Sequence, residues 1–503
     1  MPLTTLLSRL GVHRREHVSV ARDFSIYSGA NIVSLVLLLS TGLVLRRYLG
    51  LTLAGIWTGL EVLPAYAAYA HLGILNAAER ELPFLLGARR GDDFDRLKHT
   101  LLWLSHGLGA LLAAGLTIAA FALRPRIERE FFVGLIIYAP LLWTQILATY
   151  YLLLFRARQR FVELSGRQAI ANLLKAALTV AGGFAFGLYG VFVALLAASA
   201  IQLVLFHTAV EETFERRFDG ALLGPLLADG MPILAGAVAF ETIRNTDRIV
   251  IGSVLGFKAL GVYSVTQIVC QGLYYLPNAL STVMYPRFQS RYGATGDALS
   301  LRKFVEVPLH VLADALLAAT TVLLIALPPA IAAWLPAFVD TIPPLRVMLV
   351  GTYFLCLAPP AGQFLLTVHK QTPALLVALP ATAIALGAAY VGAAYGLVGV
   401  AVGVAIGCFV EFAGVNAYAF SHFAGPRAIA RQLLGITVTA ALWLAAAILV
   451  ERAVPAGPSL IAVVGGWRLV FVALLAVPLL VRAARRIRAL QTPDSVDNVR
   501  AGH

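Results

Sequence analysis

Apolar stretches of about 20 residues follow one another along nearly the whole chain, separated by short segments that carry most of its charge. That is the length an α-helix needs to cross a hydrocarbon layer about 30 Å thick. Hydrocarbon offers no partner to an open backbone, so the helix, which bonds its own N–H and C=O groups, is the natural spanning unit. Composition agrees: 59% of residues are hydrophobic, 13% are charged, and the mean hydropathy is +0.82. A soluble globule could not bury so much apolar surface. The chain is therefore read as an all-α polytopic membrane protein.

Counting apolar windows places about 14 transmembrane helices near 24–45, 53–75, 99–122, 131–155, 165–186, 188–208, 231–254, 259–285, 304–327, 345–368, 373–394, 396–420, 429–450 and 460–481. The turns at Gly187–Gly190 and Tyr395–Gly399 each split a continuous apolar run too long for one crossing. The basic start, 1–23, reads as a cytoplasmic segment ahead of an uncleaved signal anchor. Cys270, Cys356 and Cys408 lie inside apolar runs, without CxxC spacing or a neighbouring His, so neither a disulfide nor a metal site is expected. No cofactor is expected either.

A net charge of +13 would suggest nucleic acid in a soluble protein, but here the basic residues lie between spans and act as topology signals, so no nucleic-acid partner is expected. With the N-terminus inside, the cytoplasmic segments hold 27 of the 39 Lys and Arg and the opposite side holds 7, so both termini are placed in the cytoplasm. The exceptions are Arg46-Arg47 and Arg124/Arg126/Arg129, read as outer-loop residues.

The sequence also resembles itself. Leu49-Gly50-Leu51 with Gly55-Ile56-Trp57 recurs 206 residues later as Leu255-Gly256-Phe257 with Gly261-Val262-Tyr263, and Gly187-Leu188-Tyr189-Gly190-Val191 recurs 209 later as Gly396-Leu397-Val398-Gly399-Val400. Two motifs at nearly one offset indicate duplication. An even number of spans lies between equivalents, so the repeats share one membrane orientation. The expected architecture is a six-helix lobe at 24–208, a cytoplasmic linker at 209–230, a second six-helix lobe at 231–420 and a central cavity between the lobes. Two additional helices at 429–481 and a basic cytoplasmic tail at 482–503 stand outside the repeat.

The run Asp247-Arg248-Ile249-Val250-Ile251-Gly252, followed by Leu255-Gly256, Gly261-Val262-Tyr263, Leu276-Pro277 and Tyr285-Pro286, resembles the seventh and eighth helices of bacterial Wzx-type polysaccharide flippases. Arg156-Ala157-Arg158-Gln159-Arg160-Phe161 resembles the basic loop after their fourth helix. These flippases share a superfamily with multidrug and toxin extruders and lipid II flippases, and the likeness runs over roughly residues 20–425. The resemblance implies a V-shaped pair of bundles in the bacterial inner membrane. It implies transfer of an isoprenoid-diphosphate-linked saccharide from the inner to the outer leaflet by alternating access. The implied partners are that lipid-linked glycan, membrane lipids and other polysaccharide-assembly membrane proteins; a monomer is expected.

Ionisable groups at bilayer depth are costly and mark functional sites or internal pairs. The seventh span holds Glu241, Arg244, Asn245, Asp247 and Arg248 within an arc of about 160° at 100° per residue. This side is expected to line the cavity, with Ile243, Thr246, Ile249 and Val250 facing lipid or other helices. Arg248, Arg244, Lys175 and Asn245 are the candidate substrate contacts, since a guanidinium fork matches phosphate oxygens. Glu61, above Pro64 in a span expected to kink, and Asp247, Glu241 and Asp314 are the candidates for ion coupling or gating. Asp314 continues a four-residue stripe with Glu306 and His310; His71 reads as interfacial, and Glu411 is a deep anion in the second lobe.

A multidrug antiporter is the alternative. It would favour an anionic or aromatic cavity, and the carboxylate that several extruders place in their first helix is missing from 24–45, where Asn31 and hydroxyl residues stand. A membrane-bound glycan polymerase or ligase would need acid or base residues in a sizeable surface loop. The longest outer loop expected here, 328–344, is rich in Pro and Ala, with Trp334 as interfacial anchor and Asp340 as its charge. Single cysteines replacing Pro336 and Ser495 should label from opposite sides of the membrane with an impermeant reagent; equal labelling from outside would overturn the topology.

Overall fold

A computed structural model describes residues 37–489, less 38, 159, 211–214 and 454–466. The basic N-terminal segment, most of the first expected span with Asn31, and position 495 lie outside the described residues. Helix dominates, and no strand occurs among the described residues. After helical residues 39–49 come α1 (Leu51–Leu60), α2 (Val62–Ala67), α3 (Ile74–Gly87), α4 (Gly91–Leu123), α5 (Arg129–Ala157) and α6 (Phe161–His207). Next are α7 (Leu223–Val250), α8 (Gly256–Leu273), α9 (Tyr275–Thr295), α10 (Arg302–Trp334), α11 (Ile342–Leu355) and α12 (Pro359–Thr367). The chain continues as α13 (Gln371–Gly392), α14 (Gly396–Phe420), α15 (Pro426–Ala453) and α16 (Trp467–Ala489). Among the described residues, eight helical stretches are long and apolar enough to cross a membrane, and several of them cover two expected spans. The protein is thus a multi-pass helical membrane protein.

Where expected spans are interrupted, the cause is local. The span at 53–75 breaks at Glu61, between α1 and α2, because Pro64 has no N–H to donate to the Leu60 carbonyl one turn back. The outer loop expected at 328–344 is shorter than the sequence suggests: α10 runs through Pro328 and Pro329 to Trp334, and a 3₁₀ turn from Pro336 to Thr341 leads into α11. The long α6 is broken at Gly187, with φ 61° and ψ −143°, and α14 begins at Gly396 with φ 70° and ψ −156°. These glycines are repeat equivalents, as are Gly50 and Gly256, with φ 78° and 84°. The duplication seen in sequence therefore recurs as backbone geometry that an L side chain resists.

Two compact units emerge. One comprises Met1–Glu241 and Gly256–Gly261, the other Thr242–Leu255 and Val262–His503. The division falls inside α7 rather than in the 209–230 linker, because the first part of α7 is tied to the N-terminal unit where Gly230 meets the Gly73 backbone without room for a Cβ. In that unit α1 crosses the start of α8 reciprocally: a Cβ at Gly55 would lie 1.7 Å from the Phe257 carbonyl oxygen, and one at Gly261 would lie 1.7 Å from that of Leu51. In the other unit α13 and α14 also approach without room for a Cβ, Gly392 against Gly399 and Gly403 against Ala388. Small residues permit such contact where lipid tails remove the hydrophobic drive for association.

Gly55→Val and Gly261→Val should each lower the unfolding midpoint of the purified protein, by the equivalent of about 1–3 kcal/mol for overpacking. Gly236→Ala, where nothing lies within 4 Å of the added carbon, should leave it unchanged.

Candidate functional site

The N-terminal unit buries a cation that the sequence reading assigned to an outer loop. Arg46 lies inside a helix and is 1% exposed. Its guanidinium donates to the Gly42 carbonyl (3.2 Å), Thr58 Oγ1 (3.1 Å) and Glu61 Oε2 (3.3 Å), and stacks over the Trp57 ring with 4.7 Å to the centroid. The break between α1 and α2 places Glu61 where it meets Arg46, and the one-turn spacing from Trp57 to Glu61 stacks the cluster on one face. Tyr138 of α5 is buried and shares the electrostatic surroundings of Arg46 and Glu61. Lys175, on α6, is exposed and interacts electrostatically with Glu61. Two of the expected site residues, Glu61 and Lys175, are thus brought together. Arg46 was missed, and the available signal was its standing as an exception to the inside bias of basic residues.

The C-terminal unit holds a network on α7 and α8. Asp247, 1% exposed, accepts from the Tyr263 hydroxyl (2.8 Å) and from the Arg248 backbone N–H (2.8 Å). Gln267, with its amide turned to satisfy both neighbours, donates to Asp247 Oδ2 (3.3 Å) and accepts from Arg248 Nε (3.1 Å) and Nη2 (2.5 Å). Tyr263 and Gln267 lie four residues apart on α8, so both reach the same turn of α7. Arg248 is 7% exposed; Arg244 is half-buried, with its guanidinium 4.3 Å above the Tyr274 ring. Asn245 is fully buried, and Glu241, at the end of the first unit's main segment, is 8% exposed.

The polar side of the seventh span was expected to line a cavity and the aliphatic side to meet lipid or other helices; Ile243, Thr246 and Val250 are buried and Ile249 is exposed. The polar side is occupied by protein partners because α8 supplies a hydroxyl and an amide at matching height. Asp314, a candidate for ion coupling, forms ion pairs with Arg486 (3.0 Å) and Arg482 (3.7 Å) of α16, and Arg486 also donates to the His310 carbonyl (3.0 Å). A second bond fastens the C-terminal pair: Arg346 of α11 donates to both oxygens of Glu451 on α15, at 2.8 and 2.7 Å. Asp314 therefore anchors α16. His71, expected at an interface, is 5% exposed, and its Nδ1 accepts from the Gly73 N–H (3.1 Å).

Residues 88–335 match the family profile described as "Polysaccharide biosynthesis protein". No curated protein sequence matches the chain. Among solved structures, the lipid II flippase MurJ in an inward closed conformation aligns at TM-score 0.70 and 14% identity, over 93% of this chain and 99% of that one. An inward-facing multidrug-resistance MATE transporter of the MOP superfamily aligns at TM-score 0.62 and 15% identity, over 81% and 96%. A eukaryotic MATE transporter aligns at TM-score 0.61 and 14% identity, over 84% and 99%. The fold is the one these flippase and transporter structures share, and the profile match agrees with the resemblance to polysaccharide flippases read first from the α7–α8 motif.

Tyr263→Phe should destabilise the protein by about 1–3 kcal/mol, since it removes a donor from a buried carboxylate. The check is thermal unfolding in detergent. Adding Asp247→Asn should recover part of that loss, because the amide needs less from its surroundings than the anion does.

Proposed function

We propose that the protein is a flippase in a bacterial inner membrane, with both termini cytoplasmic. It carries an isoprenoid-diphosphate-linked oligosaccharide from the inner to the outer leaflet by alternating access, for synthesis of cell-surface polysaccharide. The observation that carries this reading is the polysaccharide-biosynthesis match joined to a fold shared, over nearly the whole chain, with a lipid II flippase. The residues supply the physical reason. A diphosphate leaving water must exchange its hydration for fixed donors, and arginine keeps its charge as the surroundings dry.

Lys175 and Arg244 are the cations best presented to a headgroup in this conformation, one exposed on α6 and the other half-buried over an aromatic face. Arg248 and Asn245, proposed with them as substrate contacts, are held inside the protein, and the Asp247–Tyr263–Gln267 network would have to release Arg248 before its guanidinium could meet phosphate. Glu61, paired with Arg46, is proposed as a gating carboxylate beside Lys175.

Lys175→Glu and Arg244→Glu should each abolish export, read as accumulation of lipid-linked precursor in the inner leaflet at matched membrane abundance. The corresponding Ala variants should reduce export about tenfold, the worth of one charge-assisted contact. Export at the wild-type level by all four would overturn the mechanism. Intact glycan export after deletion of the protein, with raised drug sensitivity, would replace it with multidrug antiport.

A further inference from the structure

The charged groups of the C-terminal unit described so far have partners: Asp247 with Tyr263, Arg248 with Gln267, Asp314 with Arg486, Arg346 with Glu451. Glu411 differs. It lies in the second half of α14, is 4% exposed, and its Oε2 is fully enclosed without a hydrogen-bond partner among the described residues. None of the ion pairs found among the described residues includes it.

The residues flanking it on α14 pack closely against neighbouring helices. Towards α13, Gly407 abuts Ala385 and Gly414 abuts Val377, each without room for a Cβ. Towards α11, Phe412 packs on Phe354 at 5.3 Å and Phe409 on the same ring at 5.1 Å. Of the titratable groups on α14 itself, Cys408, one turn back, interacts electrostatically with Glu411, and Tyr418 lies two turns on; His422, beyond the helix, bonds the Tyr418 carbonyl. On α11, Arg346 is committed to Glu451 of α15 and Tyr353 is buried; on α13, Tyr390 points outward at 68% exposure, as does Tyr395 beyond it. Neither α12 nor the π-helical turn Ile251–Leu255 carries a titratable side chain, and the other charges of α15 are Arg427, Arg431 and Arg452. No cation is committed to Glu411 from any of these elements.

A carboxylate enclosed in this way would carry the full desolvation penalty of its charge, and such a group neutralises instead. We propose that Glu411 is a proton-binding site of the C-terminal unit: it holds a proton in this conformation and gives it up when motion of α14 against α11 and α13 admits water. Protonation cancels a charge that nothing nearby offsets; hydration removes the need for it. The bound ion is taken as H⁺, because a sodium ion needs several oxygen ligands and no hydrogen bond or ion pair joins another group to Glu411 Oε2 among the described residues. The inference concerns the energising ion and is independent of which substrate is carried.

The test uses the full-length protein in lipid vesicles without substrate. A hydrophobic carbodiimide, which modifies carboxylic acids but not carboxylates, is applied across acidic to alkaline pH, and modification of the Glu411 peptide is quantified by mass spectrometry. Infrared difference spectra of wild type and Glu411→Gln follow the acid carbonyl band in parallel. The proposal expects strong modification at acidic and neutral pH, loss of more than about tenfold at alkaline pH, and an acid band that the Gln variant lacks. Absence of modification at every pH, with no titrating acid band in the wild-type spectrum, would show an ionised Glu411 and overturn it. Modification unchanged up to the highest pH would show a permanently neutral structural acid and overturn it equally. Suppression by Na⁺ but not by K⁺ at fixed pH would replace the proton with sodium. Wild-type labelling alone decides the question if the Gln variant does not fold. None of these outcomes touches the flippase reading, which is decided by the precursor assay.

Discussion

Hydrocarbon cannot hydrogen-bond, and most of this structure follows from that. Backbone groups must be satisfied within each helix, and several departures from helical geometry fall at special residues: at Pro64, or at glycines such as Gly187 and Gly396 that adopt positive φ. The same constraint governs side chains. Arg46 is buried with Glu61, Thr58 and the Trp57 ring around it, and Asp247 with a tyrosine and an amide. A charge left alone in such a medium changes its protonation or its position, which is why the enclosure of Glu411 has chemical meaning.

Within each unit the helices approach through small residues and lock through polar bonds. Gly55 against Phe257 and Gly261 against Leu51 bring backbones together where side chains would hold them apart. The bonds from Asp314 to Arg486 and from Arg346 to Glu451 fasten α16 and α15 to the helices of the C-terminal unit. Because the two pairs fall on different helices of that unit, they fix the added pair against rotation as well as separation. The C-terminal helices are thus built into the unit by specific charge complementarity, although they stand outside the repeat.

The likeness to MurJ and to MATE transporters is a likeness of fold at about 15% identity, which leaves substrate chemistry to the side chains. On that point the profile match is to polysaccharide biosynthesis, while the solved structures of this fold include both a lipid II flippase and multidrug transporters.

The sequence by itself determined the class of fold, because spans of about 20 apolar residues admit few solutions in a bilayer. It also determined the duplication, since Gly50 with Gly256 and Gly187 with Gly396 are forced choices wherever the backbone turns to positive φ. It marked the deep charges worth attention, including Glu61, Lys175, Asp247 and Asp314, because each is expensive enough to need a reason. Partnership was decided by tertiary structure alone. The sequence reading had Arg46 in an outer loop and offered Asp247 and Asp314 for ion coupling or gating; the fold gave Arg46 to Glu61, Asp247 to Tyr263, and Asp314 to Arg486 some 170 residues away. Helical periodicity says which residues of one helix share a face, but the depth and rotation of the facing helix are set by packing across hundreds of residues, and no local pattern encodes them.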